Sequence, residues 1–326
     1  MHTLQSLKHE FNHFLVQTVL LEEPLSLYEP FRYIMNLGGK RIRPICCVAA
    51  YIMFEPKKNY SNVLPAALAI EIFHNFTLVH DDIMDESNLR RGKATVHKKY
   101  GLNTAILSGD VMLIKAYQVL CQTQSSQMPQ LLQIFNKVGQ EVCEGQQYDM
   151  DFEQTANVNV ASYLKMIGLK TASLLATSLK MGAIVAHANE EDAQRLYEFG
   201  RNIGIAFQLQ DDILDTYGKG DKIGKKVGGD ILQNKRTYLL TKALEIAKGS
   251  DLGTLHYWLH ATDYNQNDKI EAVKAVFDKL KVRESAKEAM QQFYEQAFVH
   301  LASIKIEKSR KKLLLELVDL LMKREQ

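Results

Sequence analysis

Ala69 to Asp85 reads AIEIFHNFTLVHDDIMD. A mostly apolar run closes in three carboxylates. On a helix, Asp81 and Asp85 stand one turn apart on one face, with Asp82 beside them. Far downstream, Gly204 to Asp215 reads GIAFQLQDDILD and ends in the same DDxxD pattern. A single acidic helix end is ordinary solvated surface. Two copies, each closing an apolar helical run, point to chemistry. Exposed carboxylates at i, i+4 repel by only about 0.2–0.5 kcal/mol. In a shared low-dielectric cavity each repulsion at ~5 Å rises to roughly 3 kcal/mol at an effective dielectric of ~20. Hard divalent cations relieve it, and Mg²⁺ takes one or two carboxylates plus substrate phosphates. The expectation is two aspartate ledges facing each other across a cavity, holding Mg²⁺ against a polyphosphate.

The rest of the chain is consistent with a helical frame around those ledges. The 326 residues are 46% hydrophobic and 24% charged, with 6 Pro and 18 Gly, and strict polar–apolar alternation is scarce. That reads as an all-α single-domain bundle of about ten or more helices around a central cavity, residues 1–326 forming one domain. A net charge of +2 gives no case for nucleic acid. The longest apolar run, Ile45 to Phe54, is too short to span a bilayer, and the first residues lack a signal-peptide core. Cys46, Cys47, Cys121 and Cys143 have no metal-site spacing. A cytoplasmic protein with no membrane span is the expectation.

Basic residues cluster where phosphates would sit. Lys40-Arg41-Ile42-Arg43 lies between Gly38-Gly39 and Pro44, which opens an apolar helix. Such a turn is either an anion cradle or an exposed basic loop. His74 lies seven residues before Asp81, ~10 Å along the axis on nearly the same face, as a phosphate donor would. After the first ledge, Leu89-Arg90-Arg91-Gly92 begins a basic loop; paired Arg forks can hold two different phosphates. Val160 to Ala188 reads as one long apolar helix with Gly168 and Lys170-Thr171 inside it, a place for a local distortion. Residues 216–234 hold five glycines and four lysines, either a solvated loop or a lysine-bearing lid.

Taken together, GGKRIRP, HDDIMD with LRRG, GQQYD, KT, FQLQDDILD and GKKVGGDILQNK occur in the order found in the trans-isoprenyl diphosphate synthases, the polyprenyl synthetase family. The chain resembles that family from about Gly38 to Leu240. The resemblance implies an all-α homodimer that joins isopentenyl diphosphate head-to-tail to an allylic diphosphate (dimethylallyl, geranyl or farnesyl), with three Mg²⁺ per active site. It implies metal contacts for Asp81, Asp82 and Asp85, and for Asp211, Asp212 and Asp215. Arg90 matches the arginine on the allylic diphosphate, and Lys170 and Lys226 match further donors to it. Lys40, Arg43, His74 and Arg91 match the isopentenyl diphosphate pocket. Thr171, Gln208 and Lys235 match polar groups at the reacting centre, and Gln146 and Asp149 a cavity-facing pair near the allylic substrate. Phe76, five residues before Asp81, matches the floor that limits product length, and with the small Thr77 it favours geranylgeranyl diphosphate. Farnesyl or longer products, and a non-catalytic subunit, are the alternatives. Terpene cyclases carry a different second metal motif, and head-to-head synthases lack the GGKRIRP cradle.

Overall fold

The computed structural model describes residues 2–19, 22–155, 157–218 and 227–322. Among them the chain is helical almost throughout, and two short paired strands are the only sheet. It divides into two compact units.

The first unit comprises Met1–Phe135, Thr177–Tyr197 and Lys305–Leu317. Helix α1 (Leu4–Thr18) opens on a capping box in which Thr3 and Ser6 satisfy each other's backbone N–H groups. Helix α2 (Leu25–Asn36) leads into Gly38 and Gly39, both at positive φ, and then into α3 (Ile42–Phe54). Ten of the 13 residues of α3 are buried, so this helix is apolar all round.

Helix α4 (Leu64–Met84) is the organising element. Pro65 sits in its first turn, where a missing N–H loses nothing. Residues Ala66 to Phe73 are buried without a break, and each fully buried Ile, Leu or Phe contributes roughly 1.5–3 kcal/mol. The only buried acid in that run is Glu71. With the preceding 3₁₀ turn, α4 is the one helix among the described residues long and apolar enough to cross a membrane by composition, and 67% of that window is buried inside the protein.

The basic stretch after the first ledge is not a plain loop. It folds as a hairpin in which β1 (Leu89–Arg90) pairs antiparallel with β2 (Lys93–Ala94). Arg91 and Gly92 both take positive φ, as a two-residue turn joining twisted strands requires. Helices α5 (Val96–Tyr100) and α6 (Leu102–Leu120) follow.

The second unit comprises Asn136–Ala176, Glu198–Ile304 and Val318–Gln326. The boundaries fall inside helices: α7 (Met128–Gln154), α9 (Ser173–Val185) and α10 (Glu190–Tyr217) each have residues in both units. The long helix expected from Val160 to Ala188 is interrupted. Helix α8 (Val160–Ile167) runs into a π-helical turn at Gly168–Ala172 before α9 begins. That is the distortion expected around Lys170. Helix α10 starts where Asn189 Oδ1 accepts the Asp192 N–H at 2.8 Å, with three acids in its first turn. Helices α11 (Gly229–Leu232), α12 (Tyr238–Ile246), α13 (Gly249–His260), α14 (Gln266–Lys279), α15 (Val282–Ser303) and α16 (Lys312–Met322) complete the chain. The unit's core joins Tyr163, Ile167, Leu209, Ile213, Leu239 and Phe277.

Candidate active site

The first ledge is built at the last turn of α4. The Asp85 N–H donates to the Asp81 carbonyl at 2.8 Å, so the two carboxylates stand one helical turn apart. Asp82 points inward and is 1% exposed. Arg90 reaches it from β1 with a two-pronged grip, Nε to Oδ2 at 2.7 Å and Nη2 to Oδ1 at 2.8 Å. The same Nη2 lies 3.4 Å from Asp81 Oδ2. Burial raises the Asp82 pKa, and Arg90 opposes that rise. For Arg90, burial works against the charge, yet Asp82, Asp81 and Asp85 outweigh it and hold its pKa above the ordinary value.

Arg91, the next residue, goes elsewhere. Its Nη1 donates to the Gly38 carbonyl. Its guanidinium lies against Gly39 so closely that a Cβ there would stand 3.1 Å from three of its atoms. The hairpin turn therefore separates two adjacent arginines, one onto the aspartates and one onto the glycine pair of GGKRIRP. Arg43 Nη1 lies 3.2 Å from His74 Nε2, which joins that loop to α4. Burial first, then Arg43, Arg91, Arg90 and Arg41, pushes the His74 pKa well below its usual value, so the ring is neutral at pH 7 and accepts from Arg43. Burial also lowers the pKa values of Arg43 and Arg91, and Glu71 counters it in both.

The apolar wall behind this ledge is aromatic. Phe76 packs on His80 at 4.9 Å between ring centroids and on Phe73 at 5.5 Å. Phe73 in turn meets Phe135 at 5.5 Å, and Phe135 meets Tyr117 at 5.1 Å. His80 abuts Gly109 of α6, where an added Cβ would stand 2.2 Å from its Nε2, so its place is a packing one.

The second ledge lies on α10, in the second unit. Asp211 and Asp215 share a helix face at i, i+4. Asp215 Oδ2 accepts the Asp230 N–H at 2.9 Å and so holds the start of α11. Asp212, grouped with the ligands in the sequence, has a different setting. It is 3% exposed and takes hydrogen bonds from the Tyr163 hydroxyl, the Tyr238 N–H at 3.0 Å and Gln208 Nε2 at 3.2 Å. Burial pushes its pKa up to about 7 against those bonds. Gln208 also meets Thr171 Oγ1 at 3.3 Å. The π turn thus sets Thr171 toward α10, while Lys170 Nζ pairs with Asp149 Oδ2 of α7 at 2.6 Å. Gln146 lies on α7 one turn before Asp149. The Lys235 N–H donates to the Asp230 carbonyl at 2.9 Å. Lys226 lies outside the described residues.

Two groups went unread in the sequence. Arg41, the middle of GGKRIRP, is buried on Glu71; a lone acid inside the apolar run before Phe73 was its signal. Tyr163, which donates to Asp212 from α8, carried no local signal in the sequence.

The donor set suits magnesium. Asp81 and Asp85 offer carboxylate oxygens without soft ligands, and among the described residues no three His, Cys, Asp or Glu side chains form a ready cage. Mg²⁺ characteristically completes its shell with water and substrate phosphate.

Residues 24–277 match the model of the polyprenyl synthetase family. A short chain isoprenyl diphosphate synthase of Methanocaldococcus jannaschii is 41% identical over 256 residues, 78% of this chain and 76% of that protein. The crystal structure of a geranylgeranyl pyrophosphate synthase superposes with a TM-score of 0.94 at 40% identity, covering 100% of both chains. A geranylgeranyl pyrophosphate synthase from Corynebacterium glutamicum, in complex with isoprenyl diphosphate and magnesium, gives a TM-score of 0.82 at 27% identity, covering 98% of this chain and 97% of the other.

Proposed function

We propose, because the chain belongs to the polyprenyl synthetase family and is a short-chain prenyl diphosphate synthase, that it joins isopentenyl diphosphate head-to-tail to an allylic diphosphate with Mg²⁺, geranylgeranyl diphosphate being the favoured product. The observation that carries the reading is the hairpin that parts Arg90 from Arg91. One arginine serves the carboxylate ledge and the other the glycine loop, which supports two separate phosphate sites.

In this reading residues 1–326 work as one synthase domain, and each aspartate-rich ledge serves the metal-dependent step. Asp81 and Asp85 of the first ledge, and Asp211 and Asp215 of the second, hold three Mg²⁺ with the allylic diphosphate. Bound magnesium supplies Lewis acidity that offsets the charge growing on the leaving diphosphate. Arg90, Lys170 and Lys226 bind the same group and stabilise it electrostatically. Asp82 and Asp212, both buried and hydrogen-bonded, fix Arg90 and the α10 ledge in place rather than ligate metal.

Lys40, Arg43, His74 and Arg91 hold isopentenyl diphosphate. Neutral His74 bonds the Arg43 guanidinium and orients it. The allylic C1–O bond breaks and pyrophosphate leaves with the electron pair; the isopentenyl double bond attacks C1; a proton then passes to the released pyrophosphate. Thr171, Gln208, Lys235, Gln146 and Asp149 line the reacting centre, and the aromatic wall from Phe76 excludes water from the cation. Helix α6 exposes Leu102, Ile106, Leu107 and Ile114, an apolar face that a second copy of the chain covers in a homodimer. Four free thiols fit a reducing, cytoplasmic setting.

Steady-state kinetics with each substrate varied test the reading. Arg91→Ala and Lys40→Ala should raise KM for isopentenyl diphosphate, whereas Arg90→Ala should chiefly impair use of the allylic partner. Equal effects on both substrates in all three variants would argue against separate sites.

A further inference from the structure

The glycine loop that ends in Lys40 and leads into Arg43 on the first turn of α3 is held by a residue with no part in the reading above. Arg41, between them, takes φ 56 and ψ 35, a left-handed backbone that a long side chain rarely adopts. It is nevertheless 6% exposed, while Lys40 is exposed and Arg43 half-buried. Such a conformation persists only where the surroundings over-determine it.

Here they do. Arg41 Nη1 donates to Glu71 Oε1 at 2.6 Å, and Nη2 to the Met35 carbonyl near the end of α2 at 2.6 Å. Nε donates to Asn12 Oδ1 of α1 at 3.3 Å. Glu71 is held in turn by Asn75 Nδ2, 3.3 Å from the same Oε1. Three helices thus grip one guanidinium beneath the loop. Glu71 lies one turn before His74, so the carboxylate that anchors Arg41 sits on the helix that meets Arg43. Glu71 is also the foremost charge countering the burial that lowers the pKa values of Arg43 and Arg91.

We infer that Arg41 and Glu71 are a positioning pair for the isopentenyl diphosphate site, fixing where Lys40 and Arg43 present their charge. The inference rests on the function proposed above. Neither residue touches substrate: Arg41 sets the turn, and Glu71 neutralises a buried cation amid other arginines.

Two variants separate this role from simple support of the fold. Glu71→Gln keeps size and hydrogen bonding but removes the charge. Arg41→Gly suits the left-handed backbone and deletes the anchor. In each, KM for isopentenyl diphosphate, and its Kd by titration calorimetry, should rise about tenfold or more, as when a buried charge pair loses a partner. The allylic KM should stay within about twofold, since Arg90 is held by Asp82 instead. A lower melting temperature with an unchanged Kd for isopentenyl diphosphate, in either variant, would overturn the inference. If the wild-type chain shows no prenyl transfer at all, the proposed function fails, and titration with inorganic pyrophosphate still reads the cradle: equal affinity in wild type and both variants would overturn it there too.

Discussion

Gly145→Ala should destabilise the protein although it replaces glycine inside a helix. Alanine gains about 1 kcal/mol in an open helical position. Gly145 is not open. A Cβ there would stand 2.3 Å from the Lys170 backbone nitrogen, 2.7 Å from its Cα and 2.9 Å from the Leu169 carbonyl carbon. Ordinary contact begins near 3.4 Å, so the overlap is roughly 1 Å, and it is with backbone that no side-chain rotation relieves. Overpacking of that kind costs typically about 1–3 kcal/mol, and direct backbone overlap belongs at the upper end. The net loss is therefore about 1–2 kcal/mol, which for a chain of this size lowers the melting temperature by roughly 1.5–3 °C. The displaced segment is the π turn that carries Lys170 and Thr171, so the 2.6 Å pair between Lys170 and Asp149 shifts as well. The allylic KM should rise with the loss of stability. Gly253→Ala is the control: it lies on α13 with nothing within 4 Å of its Cβ position, and it should gain about 0.5–1 kcal/mol. Thermal unfolding followed by circular dichroism reads both variants. A Gly145→Ala protein as stable as Gly253→Ala, with wild-type allylic kinetics, would refute the packing argument.

Asp81→Ala, Asp85→Ala and Asp211→Ala should each lower kcat by about a hundredfold or more while the helical signal persists; near-normal turnover at saturating Mg²⁺ would remove that residue from the ligand set. Phe76→Ala should lengthen the main product by one isoprene unit, with Phe73 and Phe135 forming the next barrier; an unchanged product from an active variant would place the floor elsewhere. His74 has a folded pKa well below 6.5, so the unfolded chain takes up its proton first as pH falls, and the stability tied to the neutral ring is lost below about pH 6.5. His74→Gln should flatten the decline in urea-unfolding free energy between about pH 6.5 and 5, and a slope equal to wild type would show that the ring is not buried neutral.

Both aspartate ledges were legible because local periodicity specifies them. DDxxD at the end of an apolar run fixes a helix face whatever the rest of the chain does. The π turn was half legible, since Gly168 and a lysine inside an apolar helix signal a break without saying what kind. The hairpin was not: two-residue strands are too short to show alternation, and Arg91 at positive φ is not a residue that announces a tight turn. Long-range partners lay further out of reach. Nothing local says that Arg41 points inward while Lys40 points out, or that Tyr163 reaches Asp212 across 49 residues of sequence. Burial decides such cases, and it depends on helices far apart in the chain. The same cause hid the setting of Asp212, whose motif looks like that of Asp82 and Asp211 but whose carboxylate is buried among Tyr163, Gln208 and Tyr238.

The most direct measurement is chromatography of the dephosphorylated products made by the purified chain from isopentenyl diphosphate with dimethylallyl, geranyl or farnesyl diphosphate and Mg²⁺. Geranylgeraniol should be the main alcohol, formed by this chain alone and abolished by a chelator. No extended product from any primer, at any Mg²⁺ concentration, would contradict the proposed condensation.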